Sequence, residues 1–151
     1  MTRSKRLKPV IDLAEREESQ LAQAYTAQLR QHQLAQEKLQ QLVLYRLDYA
    51  AMAEQAPGRP IDLARLQGAR AFLQRLSEAI GMQEAEIRRI DGLVNQARGL
   101  WLGAKRHQKS INDLVLGYQA QERQMSDKRE QKQQDEMAGQ RMAWRLSAQV
   151  G

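Results

Sequence analysis

Apolar residues recur along this chain in alternating steps of four and three. A first stripe runs from Leu7 through Ile11, Ala14, Leu21, Tyr25, Ala35, Leu39, Leu42 and Tyr49 to Ala53, with Glu18, Gln28, His32 and Arg46 as its polar positions. A second runs from Leu66 through Leu73, Leu76, Ile80, Ile87, Ile90, Val94, Trp101, Ile111 and Val115 to Met125, with Gln83, Gln108 and Glu122 as its polar positions. A period of 3.5 held over this many heptads predicts two coiled-coil helices in a left-handed supercoil.

One clear break separates the stripes: Gln55-Ala56-Pro57-Gly58-Arg59-Pro60. Proline and glycine together stop a helix and turn the chain. Asp62 is placed to cap the next helix by accepting from a free backbone N–H. The fold class expected is all-α, two long helices in an antiparallel coiled-coil hairpin, the second longer than the first. A single domain is expected over residues 1–151, with the first helix at about 9–55, the turn at 56–61 and the second helix at about 62–125. Antiparallel pairing about that turn sets Leu42 against Leu76, Tyr45 against Phe72, His32 near Glu86 and His107 near Ile11. The first helix, ~70 Å long at 1.5 Å per residue, then runs out near residue 110 of the second. Continued beyond Met125, the stripe decays into Arg129, Lys132, Glu136 and Gly139. A polar helix with no packed face is marginal in water, so a frayed or partly helical tail to 146 is expected, ordering on a partner.

The flanks of the seam differ. On the second helix one flank reads Arg70, Ser77, Glu84, Asp91, Arg98, Lys105, uniformly polar; the other carries Phe72, Ala79, Leu93, Leu100 and Leu114. The first helix adds Val10, Ala24, Lys38, Tyr45 and Met52 to that second side. Tyr45 opposite Phe72, with Leu42, Tyr49 and Leu76 beneath, makes an aromatic edge near the turn. Two readings fit these residues: an interface anchor, or apolar flanks that widen a two-helix seam. The internal glycines Gly68, Gly81, Gly92, Gly99, Gly103 and Gly117 fall on the outer face of the second helix, as tolerated drift or as points where it bends, Gly99 and Gly103 being the softest.

Composition narrows the possibilities. Aromatics make up only 5% of the 151 residues, which suits a narrow helical seam better than a globular core. No cysteine occurs, which excludes disulfides and thiolate metal sites. No apolar run approaches the ~18 residues that span a bilayer. The basic start is followed at once by Asp12, Glu15, Glu17 and Glu18, so no export signal is read. The two histidines do not converge, and no metal pair, phosphate loop or nucleophile elbow appears, so no enzyme, cofactor or metal site is expected. His32 sits in the seam, where a single polar group helps fix register. The net charge of +6 is uneven. Arg3, Lys5, Arg6 and Lys8 open the chain, and Arg98, Lys105, Arg106 and Lys109 lie in a stretch without an acid between Asp91 and Asp113. Antiparallel pairing gathers these runs into a basic collar at the root of the hairpin, suited to an acidic partner or to solvated counterions. Nucleic acid is a rival partner, though Asp127, Glu130, Asp135 and Glu136 alternate with the basic residues of the tail.

The Leu13-Ala14-Glu15 segment, Leu42-x-x-Tyr45-x-x-x-Tyr49, the Pro/Gly turn, Phe72-x-x-x-Leu76-x-x-Ala79-Ile80 and Gln131-Lys132-x-x-Asp135-Glu136-x-Ala138 followed by Arg141 and Arg145 together resemble the FliJ proteins of bacterial flagella. The resemblance covers nearly the whole chain without a large insertion. It implies a non-enzymatic, cytoplasmic component of the flagellar type III export apparatus, peripheral to the inner membrane at the flagellar base. Such proteins are similar in shape to the stalk of rotary ATP synthases; they bind in the ring of the export ATPase FliI, contact the export gate protein FlhA and handle export chaperones. The family's gate-binding surface falls here on Leu42, Tyr45, Tyr49, Phe72, Leu76 and Ala79, with Lys38 and Gln83 flanking. The ATPase side falls on the basic residues of the root, with Lys132 and Arg141 in the tail. The stalk protein of a virulence-type secretion system, or a basic nucleic-acid-binding coiled coil, are the alternative readings.

Overall fold

A computed structural model describes residues 2–54 and 63–150. Three helices follow in order: α1 (Arg3–Arg6), α2 (Lys8–Glu54) and α3 (Leu63–Val150). The chain is all-α, an antiparallel coiled-coil hairpin whose 88-residue α3 is much longer than the 47-residue α2. The expected turn at 56–61 and the cap at Asp62 lie outside the described residues.

The helix ends differ in detail from the sequence expectation. A short turn of helix, α1, precedes α2, its first free N–H groups covered by the Thr2 hydroxyl, which accepts from the Lys5 amide. Pro9 has no N–H to offer the Lys5 carbonyl, and the helix is interrupted at Leu7 just before it. At the other end α3 continues past residue 125 to Val150. After Pro60 no proline stops it, and its last turns are rich in Gln, Ala, Arg, Lys, Glu and Met, all strong helix formers.

Two compact units divide the chain: Glu18–Gly103, and Met1–Glu17 with Ala104–Gly151. In the first, α2 and α3 pack through the predicted stripe. Ala35, Ile90 and Val94 are buried at its centre, with Tyr25 and Ile87 against them. Leu76 and Ile80 are buried towards the chain's midpoint. In the second unit Ala14, Ile111 and Val115 are buried. Every predicted stripe position is buried or half-buried except Ala53 and Met125, the last of each series. No described side chain is buried completely, as expected where only one helix face is covered.

Several polar positions of the stripe meet partners on another helix. Glu18 accepts from Trp101 Nε1 at 2.8 Å, and Tyr25 stacks on the same indole at 5.5 Å between ring centroids. Gln83 Nε2 donates to the Ala35 carbonyl at 2.9 Å, and Arg46 Nη1 donates to Ser77 Oγ at 3.3 Å. His32 Nε2 stands 3.7 Å from Asp91, not beside Glu86 as the simple pairing rule gives. A seam histidine is long enough to reach the flanking position of the opposite helix, whereas Glu86 turns to Arg89 one turn along its own helix. In the second unit Glu122 accepts from both the backbone N–H and the hydroxyl of Ser4. Its carboxyl is held below the usual carboxylate range, first by the Ser4 amide, then by the Ser4 hydroxyl and the nearby Lys5 charge.

Candidate functional site

The aromatic edge near the chain's midpoint is assembled by helix spacing. Leu42, Tyr45 and Tyr49 lie three and four residues apart on α2, and Phe72, Leu76 and Ala79 four and three apart on α3. Such spacings bring side chains to one face. Phe72 sits between the two tyrosines, 6.1 Å from Tyr45 in an edge-on contact and 4.6 Å from Tyr49. Tyr45 is 54% exposed, while Tyr49, Phe72, Leu42 and Ala79 are half-buried and Leu76 is buried below them. The outcome is a ledge with three rings fixed by mutual contact and one ring edge open to water. Rigid aromatics lose little freedom on binding, which suits them to anchor a partner.

Of the flanking positions, Lys38 is exposed on α2. Gln83 is 8% exposed, its amide donating to the Ala35 carbonyl across the seam. The basic residues divide between the units. Arg3, Lys5, Arg6, Lys8, Lys105, Arg106, Lys109, Lys132 and Arg141 are all exposed in the unit built from the chain's two ends, whereas Arg98 belongs to Glu18–Gly103. The end-built unit has fourteen Lys and Arg against nine Asp and Glu, so it carries five of the six net positive charges. Arg3 lies over the Tyr118 ring at 5.7 Å from its centroid.

Heptad reasoning overlooked two features. The last turns of α2 are apolar almost all round: Leu44 and Leu47 are exposed there as well as the flank residue Met52, and only Arg46 and Asp48 interrupt the run from Leu42 to Ala53. In the tail, Met137, Met142, Trp144 and Leu146 are exposed, Trp144 by 78%, in a stretch with no acid after Glu136. The signal was present in both as local apolar density, which a seam register does not register.

Among the described residues no group of three potential ligands is placed to hold a metal ion, and no helix is long and apolar enough to cross a membrane. The features that stand out are the aromatic ledge and the excess of exposed Lys and Arg in the end-built unit, carried on a two-helix coiled-coil hairpin. The family model of the flagellar FliJ protein matches residues 3–147, and the chain belongs to that family, a non-enzymatic protein of flagellar export. No curated protein and no solved structure matches it.

Proposed function

We propose that this protein couples the flagellar export ATPase to the export gate, binding FliI, the cytoplasmic part of FlhA and export chaperones. The observation that carries the reading is the Tyr45–Phe72–Tyr49 ledge: three rings held in contact, one edge exposed, on the surface where the family resemblance puts gate binding. The end-built unit, with its excess of Lys and Arg, is the side offered to the ATPase, where an acidic surface would offset the repulsion among its cations. Work is then transmitted by contact, without bond chemistry in this chain, in the cytoplasm and peripherally at the inner membrane.

The test is Tyr45→Ala with Phe72→Ala in the full chain, titrated against the purified cytoplasmic domain of FlhA. Anchors of this kind cost about 2 kcal/mol or more when truncated, roughly a thirtyfold loss of affinity. Circular dichroism should show unchanged helix content. Retained affinity would exclude the ledge as the gate-binding surface, and lost helix content would make these rings packing residues.

A further inference from the structure

Gln83 and Glu18 stand inside the seam, far apart along it, and each makes a single cross-helix bond: Gln83 to the Ala35 carbonyl, Glu18 to the Trp101 indole N–H. Both bonds belong to the unit Glu18–Gly103. The apolar stripe repeats every seven residues, so its leucine and isoleucine layers look the same one heptad along and do not choose a register. The polar positions do not repeat, and they choose.

Sliding α3 by one heptad in one direction brings Gln83 from Ala35 to Leu42. The small Ala35 side chain leaves its backbone carbonyl within reach of the amide; a leucine there covers it, and Gln83 is left buried and unpaired. The same slide moves Asp91 away from His32 and brings Arg98 towards it. Sliding the other way sets Gln83 against Gln28, amide to amide, and raises no objection at that layer. That slide instead carries Glu18 from Trp101 to Val94, an apolar layer without the indole N–H it bonds in the observed register. Gln83 therefore bars one direction and Glu18 the other.

We infer that Gln83 and Glu18 together form a two-way register lock that keeps Tyr45 opposite Phe72. Resting on the proposed role of that ledge, the lock makes both residues positioning residues for partner binding. Gln83 then acts through the seam and not by touching the partner. A one-heptad slide would set Tyr45 against Ala79 or Arg65 and disperse the three rings.

The chain's lack of cysteine allows a direct test by engineered disulfides, which form only when Cα atoms come within about 7 Å. Three pairs, each introduced into the full chain, report three registers. Gln31→Cys with Glu86→Cys is the counterpart of the observed Tyr45–Phe72 pairing. Gln31→Cys with Leu93→Cys reports the slide that puts Gln83 at Leu42. Ala24→Cys with Glu86→Cys reports the opposite slide. With Gln83 and Glu18 intact, only the first pair should cross-link under mild oxidation. Gln83→Leu should raise the second by at least tenfold, Glu18→Leu the third, and the double variant both, with helix content retained. Cross-linking confined to the first pair in the double variant would overturn the lock, and so would equal cross-linking of all three with both residues present. This readout involves no partner, so it fails or succeeds independently of gate binding.

Discussion

The outer-face glycines of α3 offer a quantitative check on what holds this helix together. Gly99 and Gly103 lie within α3, and a Cβ built at either position meets nothing within 4 Å. Alanine therefore adds no clash and removes no contact. The gain is that of helix propensity alone, about 1 kcal/mol per site, part of it from the smaller freedom of the unfolded chain. The two sites are one turn apart on an open face, so the gains should nearly add to about 2 kcal/mol. For a chain of this size that corresponds to a rise of roughly 4–8 °C in melting temperature, read from ellipticity at 222 nm. An unchanged or lowered midpoint would refute the reasoning, since it would mean that these positions depart from regular helix or meet something across that face. The same variant separates the two readings of the glycines. Raised stability with normal swarming motility makes them tolerated drift; raised stability with reduced motility means bending at Gly99–Gly103 is used.

Two further outcomes follow from the end-built unit. Because the Glu122 carboxyl is held below its ordinary value by Ser4, the folded chain prefers the ionised form. The clasp thus contributes above the ordinary carboxylate value of about 4.3 and is lost as pH falls through the lowered one. The Glu122 carboxyl carbon should titrate in NMR with a midpoint below about 4.3, and Ser4→Ala should raise it part of the way, since the backbone N–H remains; a midpoint at or above 4.3 with Ser4 in place would refute the clasp. Every described residue after Glu122 is exposed, so removing residues 133–151 should shift the urea-unfolding free energy of the remainder by less than about 0.5 kcal/mol. A loss above about 1 kcal/mol would show that the tail packs on the rest of the chain.

Seam positions were legible in the sequence because burial in a two-helix hairpin is dictated by period alone: a residue every 3.5 positions meets the other helix whatever else surrounds it. That logic placed Ala35, Ile80, Ile90 and Val115 inside, and the antiparallel sense brought Tyr45 to Phe72. It failed where reach or use departs from period. His32 passes over its own layer to Asp91 because an imidazole extends beyond the layer spacing. Period alone puts Gln83 in the seam, but not its bond: the small residue opposite opens a backbone carbonyl to its amide, a consequence visible only when Ala35 and Gln83 are considered as a pair. Leu44, Leu47 and Trp144 leave most of their apolar surface exposed among the described residues, and a periodic rule built on seam contacts has no place for them. The same reason makes the tail hard to read: its helix rests on local propensity, and whatever covers its apolar side chains is recognised by their chemistry, not by the repeat that folds the hairpin.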